Sequence, residues 1–196
     1  MPDANDQQDA TNSGVAVERP VRQQSCDPNF AFVTPQLKSI LQVWEAKRGV
    51  RVAPCRTDFS MRDLKFALAN VAVLAFVREG TRTRFRVQMM GSQIDTYIGA
   101  MTGKFVDEAV PAAFADKWTG LWAGAIETGG VQRSVGRVEF GGKSYYVAES
   151  LFAPLAADGE HPDAVLVSTY FHLQQSDRPE QSAISRALLD EISAAA

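Results

Sequence analysis

Residues 71–172 run through a fixed series of periodicities: two strand-like runs, a short and a longer helical run, then three more strand-like runs. Few architectures accept that order. Residues 71–77 read VAVLAFV and are apolar on both parities, which predicts a strand covered on both faces. Residues 164–172 begin AVLVSTYF and have the same character. These two runs, the first and the last, therefore belong at the centre of one sheet. Residues 83–90 alternate instead, with Arg84, Arg86 and Gln88 on one side and Phe85, Val87 and Met89 on the other. That pattern predicts a half-exposed strand.

Glycines and prolines mark the boundaries. Gly91 ends the second run, and Ser92 with Asp95 makes a Ser-x-x-acid capping pattern ahead of Ile94, Tyr97 and Ile98. Pro111 opens the longest helix, with Phe114, Trp118, Leu121, Trp122 and Ile126 on one side and Gly129-Gly130 as its stop. Residues 131–140, 143–155 and 164–172 read as strands, the first two joined by Gly141-Gly142 as a two-residue hairpin loop. Upstream, Thr34 suits an N-cap and Pro35 the first helical position. Leu37, Ile40, Leu41 and Trp44 then form one stripe that stops at Gly49, and residues 60–67 read as another short helix.

Residues 1–33 carry five acids, two arginines and almost no periodic apolar residues, which predicts a disordered tail. Residues 34–173 form the domain with its N-terminal flanking helix. Residues 174–196 form a C-terminal tail in which Pro179 precedes Ile184, Leu188, Leu189 and Ile192, an amphipathic helix over about residues 180–193.

A chain of 196 residues with 45% apolar content supports one well-cored domain. The net charge of −3 argues against nucleic acid as a partner. No apolar run reaches the length of a membrane span, and the start MPDANDQQDATNSG lacks the basic and apolar regions of a signal peptide. A cytoplasmic location follows as the expectation. Cys26 and Cys55 lie too far apart for a CxxC pair and read as ordinary thiols.

Leu41-x-x-Trp44-x-x-Lys47-Arg48-Gly49, then Pro54-x-Arg56-x-Asp58, resembles the opening of a PAS-like family common in alphaproteobacteria. Phe85-Arg86-Val87-x-x-x-Gly91, then Gly99-x-x-Thr102-Gly103-Lys104, resembles the motif that follows in it. The resemblance covers about residues 37–172, and the order of elements is that of a PAS-type module. It departs from the family where a proline often precedes the first strand, because residues 65–70 read KFALAN. The resemblance implies an α+β, PAS-like fold: a five-stranded antiparallel sheet, helices on one face and a flanking N-terminal helix. It also implies a regulator without an output domain that binds a partner such as a histidine kinase.

Other motifs fail on context. Gly142-Lys143-Ser144 resembles the end of a P-loop, but Arg137 stands where that motif needs glycine and the segment joins two strands. His161-Pro162-Asp163 matches the J-domain tripeptide but falls in an inter-strand loop. The two histidines, His161 and His172, have no partners at zinc spacing. Residues 92–128 contain neither His nor Cys, which disfavours haem ligation and a flavin–cysteine adduct. Metal is disfavoured as well. With so few bases, nucleophilic catalysis has no convincing pair, and the expectation is a non-enzyme.

The pocket candidates are Met89, Tyr97, Phe105, Trp118, Trp122 and Tyr146, all of which could equally fill a core. Glu149, inside the apolar run YYVAESLF, is either a pKa-shifted functional group or ligand anchor, or a carboxylate at an exposed or paired position. Three readings follow. The first is a sensory regulator working through protein–protein contact, gated by a small ligand, with a homodimer among its assemblies. The second is a small-molecule carrier or sensor. The third is an enzyme on a cone-like α+β fold with Glu149 as base.

Overall fold

The computed structural model describes residues 30–60, 62–138 and 145–195. Residues 1–29 of the expected 1–33 tail, with Cys26, and the Gly141-Gly142 turn with Lys143-Ser144 lie outside the described residues. Five strands, β1 (Val71–Glu79), β2 (Arg82–Met90), β3 (Gln132–Arg137), β4 (Tyr146–Leu155) and β5 (Ala164–Leu173), form one antiparallel sheet in the order β2-β1-β5-β4-β3. The two doubly apolar runs, β1 and β5, pair with each other through Val71↔Ser168 to Ala75↔Ala164. Placed there, each has a strand on both sides and side chains buried on both faces.

Alternate residues feed two cores. On the inner face, Ala72, Leu74, Phe152, Val165 and Val167 pack with Trp122, Ala125 and Ile126. These last belong to α4 (Ala112–Thr128), which follows α2 (Ser92–Ile98) and α3 (Val106–Ala109). On the outer face, Val71, Val73, Leu151, Ala153 and Leu166 pack with Leu37, Ile40 and Trp44. These belong to α1 (Pro35–Arg48), and the Trp44 indole N–H donates to the Pro154 carbonyl at 2.8 Å. The chain closes with α5 (Pro179–Ala194), whose Leu188 and Ile192 pack on Val135 and Val147 beside α1's entry. Helices therefore cover both faces of the sheet, and the C-terminal segment is part of the packed structure.

Three local readings are corrected. Between Val73 and Leu74 the pairing with β2 shifts register: Val73 faces Met89, but Leu74 faces Val87. A bulge of this kind re-aims the residues beyond it. Met89 consequently packs with the outer cluster and Met90 with the inner one. Second, residues 62–67 form turns instead of a helix, followed by a short 3₁₀ turn, Leu68–Asn70. Third, Gly91 occupies the N-cap of α2, with no side-chain cap from Ser92. Glycine is required there by close approach. A Cβ on Gly91 would stand 2.3 Å from the Leu68 carbonyl oxygen.

Candidate functional site

The inner face holds a cavity of about 120 Å³ between the sheet and α4. Strand pairing explains where the space comes from. Ser134 faces Ser150, and Ser150 faces Thr169, so three hydroxyl side chains form one row across β3, β4 and β5. The Ser150 and Thr169 hydroxyls lie 2.9 Å apart. In the next row Gly136 faces Ala148, and Ala148 faces Phe171, so two of the three strands present almost no side-chain volume. Phe114, Trp118, Leu121 and Trp122 of α4 make the roof, and Met90, Ile94, Ile98 and Met101 close the side toward α2. Phe85 packs edge-on to Trp122, ring centroids 5.4 Å apart, which fixes the indole. Half-buried Lys117 also borders the space. Arg137 borders it too, but it pairs with Val147, which packs under α5, and its guanidinium donates to Gln174 at 3.2 Å.

The pocket candidates separate on this geometry. Trp118 and Trp122 line the cavity. Tyr97 stacks on Phe171 at 4.0 Å and meets Tyr146 edge-on at 4.9 Å, a cluster that borders the cavity through Phe171. Burial and the neighbouring Tyr146 hydroxyl push the Tyr97 phenol up to about 12. Phe105 lies under the Arg84 guanidinium at 3.7 Å, away from the cavity. Met89 and Glu149 face the opposite side of the sheet.

Glu149 is fully buried at the centre of a charged clasp on that outer face. It accepts from the backbone N–H groups of Val33 at 2.9 Å and Thr34 at 2.7 Å, immediately before α1. It also accepts from the Arg133 Nε at 2.6 Å. The far side of the Arg133 guanidinium binds both oxygens of Glu191 on α5, at 2.6 and 2.9 Å. Burial works against the charge of Arg133, but Glu191 and Glu149 outweigh it and hold the guanidinium protonated. Beside them the Thr34 hydroxyl lies 3.0 Å from His172 Nε2. His172 Nδ1 is buried without a hydrogen-bond partner among the described residues, and so is the Tyr170 hydroxyl. Burial pushes the His172 imidazole below its usual range, partly offset by the charge of Glu149. Burial also pushes Tyr170 up to about 12.

Arg133 therefore belongs to a buried ion pair, unlike exposed Arg137 on the same strand. Two arginines of β2 are likewise paired: Arg82 with Asp107 at 2.6 Å, and Arg84 with Asp107 at 2.9 Å and Glu108 at 2.5 Å. Among the described residues no helix is long and apolar enough to cross a membrane. No group of three His, Cys, Asp or Glu residues there could hold a metal ion.

Sequence reasoning missed the hydroxyl row, Gly136 and Ala148. Their signal is faint: small or polar residues on the inward parity of otherwise apolar strands. It also missed Val33, Thr34 and Arg133 as partners of Glu149, and His172 and Glu191 as the next contacts beyond Thr34 and Arg133, since those contacts join segments remote in the chain. No family model matches the chain, and no curated protein or solved structure shows significant similarity to it.

Proposed function

We propose that this chain is a PAS-type sensory module of cytoplasmic signal transduction, acting through protein–protein contact made by the helices that flank its sheet. The observation that carries this reading is the clasp. One buried glutamate on a central strand binds the entry to α1 and, through Arg133, the last turns of α5. The strand that holds Glu149 also lines the inner cavity with Ala148 and Ser150. A change in the cavity thus has a short mechanical route to both helices. Support for the PAS assignment comes from the β2-β1-β5-β4-β3 order together with the motifs at residues 41–58 and 85–104. By that resemblance the partner is a signalling protein such as a histidine kinase, with a second copy of the chain as the alternative.

A carrier reading is favoured by the cavity itself and differs in making the ligand the end product of recognition. The enzyme reading finds little support. Glu149 as a base would have to give up three donors and reach through the sheet to the cavity.

The test is site-specific photo-crosslinking in cells from exposed positions on the two helices, Gln42 on α1 and Arg186 on α5. The reading expects adducts with one signalling protein from both positions, lost when Leu188→Ala loosens α5. Adducts that are indifferent to Leu188→Ala would overturn the coupling role of α5. Crosslinks confined to metabolic enzymes would favour the carrier.

A further inference from the structure

The inner cavity is selective in a way its lining makes explicit. Its volume of about 120 Å³ is close to that of a cavity of about 150 Å³ that admits one benzene ring. The roof is aromatic and the sides are aliphatic or thioether, so an aromatic ring finds edge and face contacts on most sides. Polarity is concentrated in one place, the Ser134, Ser150 and Thr169 row. A hydroxyl offers one donor and two acceptor sites, and the Ser150–Thr169 contact uses one donor and one acceptor. Hydrogen-bonding capacity remains on that row for one further small group. No carboxylate lines the cavity among the described residues, and a cationic ligand would meet the Lys117 side chain at its border. An anion would have to leave water for a mostly apolar chamber.

Building on the sensory reading above, we infer that the cavity is the binding site of a neutral single-ring aromatic molecule carrying one hydroxyl or carbonyl group. Its ring lies between the α4 indoles and the bare strip made by Gly136 and Ala148. Its oxygen engages the hydroxyl row. Ligands with two rings exceed the space, and ring compounds without a polar group leave the row unmatched.

The experiment is calorimetric titration of the full chain with phenol, benzyl alcohol, toluene and benzoate, with the indole N–H resonances followed by NMR. The three tryptophans report separately. Trp118 and Trp122 line the cavity, whereas the Trp44 indole is bonded to Pro154 on the other face. The expected result is a dissociation constant below about 1 mM for phenol or benzyl alcohol. The Trp118 and Trp122 signals should shift and that of Trp44 should stay. Toluene should bind about tenfold more weakly, the worth of one net hydrogen bond. The double variant Ser150→Ala/Thr169→Val should erase that preference while still binding toluene. Ala148→Leu, which fills the strip, should abolish binding of all four.

Benzoate binding more tightly than phenol would overturn the neutral class. Equal binding of toluene and phenol to the wild type would overturn the role of the hydroxyl row. Silence from every probe would overturn the site itself. None of these outcomes touches the helix crosslinking result, so a failed ligand and a failed sensory reading remain distinguishable.

Discussion

Three residues, Arg133, Glu149 and His172, concentrate the outer face's electrostatics. Arg133 and Glu149 are 1% and 0% exposed, so neither charge has water to fall back on. Removing one partner of a buried pair costs about 3–5 kcal/mol, whereas replacing both with apolar residues can be nearly neutral. Arg133→Met should therefore lower stability by about 3 kcal/mol in urea denaturation. Combined with Glu149→Leu, it should recover only part of that, because Val33 and Thr34 then lose an acceptor for their N–H groups. Full recovery in the double variant would show that the N-terminal contact contributes nothing. The imidazole adds a pH dependence. Its pKa in the folded protein lies below the ordinary value of 6.5, so the unfolded chain binds the proton first. Stability contributed by neutral His172 is fully present above 6.5 and is lost as pH falls from there through the folded value. Exposed His161, its imidazole pKa raised by the bond to Asp158, acts in the opposite direction and is unchanged by a substitution at His172. Between pH 7 and about 5, His172→Gln should flatten the pH dependence of the urea midpoint relative to wild type. Parallel profiles would refute the assignment.

Elements with a clear apolar pattern were legible from sequence: α1, α4, β5 and the central position of the doubly apolar strands, whereas their lying side by side came only with the resemblance. The stripe Leu37, Ile40 and Trp44 is buried as its spacing requires. What was not legible depends on partners distant in the chain. Nothing in the alternation of β2 announces the bulge that separates Met89 from Met90, because a bulge answers to the strand opposite. The four-residue helix α3 is too short to show a period, and its Asp107 is tied to Arg82 and Arg84 of β2. Glu149 stands out in the sequence as a carboxylate in an apolar run, but its partners come from two other segments, residues 33–34 and β3. The cavity was legible only in its roof. Gly91 offers a test at this scale. Its amide donates to the Val71 carbonyl at 2.8 Å while its Cα abuts the 68–70 turn, where an added methyl would meet backbone atoms at 2.3 to 2.5 Å. Backbone cannot rotate aside as a side chain can. Gly91→Ala should cost about 2–3 kcal/mol, an overpacking penalty, measured as a lower urea midpoint at unchanged slope. A change below about 0.5 kcal/mol would mean that the turn yields freely.

On the scale of the whole molecule, the sheet is a membrane one residue thick between two differently filled spaces. β4 contributes Ala148 and Ser150 to the cavity and Val147, Glu149 and Leu151 to the outer face under α1 and α5. β5 likewise contributes Thr169 and Phe171 to one side and His172 to the other. Close-packed layers transmit displacement because there is little free volume to absorb it. Filling the cavity should therefore alter the free energy of docking α5, and linkage requires the converse to the same degree. The two directions can be measured independently. Glu191→Gln weakens the α5 side of the clasp without touching the cavity lining, and Leu188→Ala removes an apolar anchor of the same helix. If phenol occupancy changes the hydrogen-exchange protection of α5 by some factor, either variant should change phenol affinity in the matching direction. Coupling free energies between sites typically correspond to about 5- to 150-fold, so a shift of about fivefold or more is expected. The Trp118 and Trp122 resonances should report it, while α2, which closes the cavity's side, serves as the internal control for exchange. Ligand binding that leaves α5 protection unchanged, with affinity equally indifferent to both variants, would separate the cavity from the helices and leave a carrier in place of a sensor.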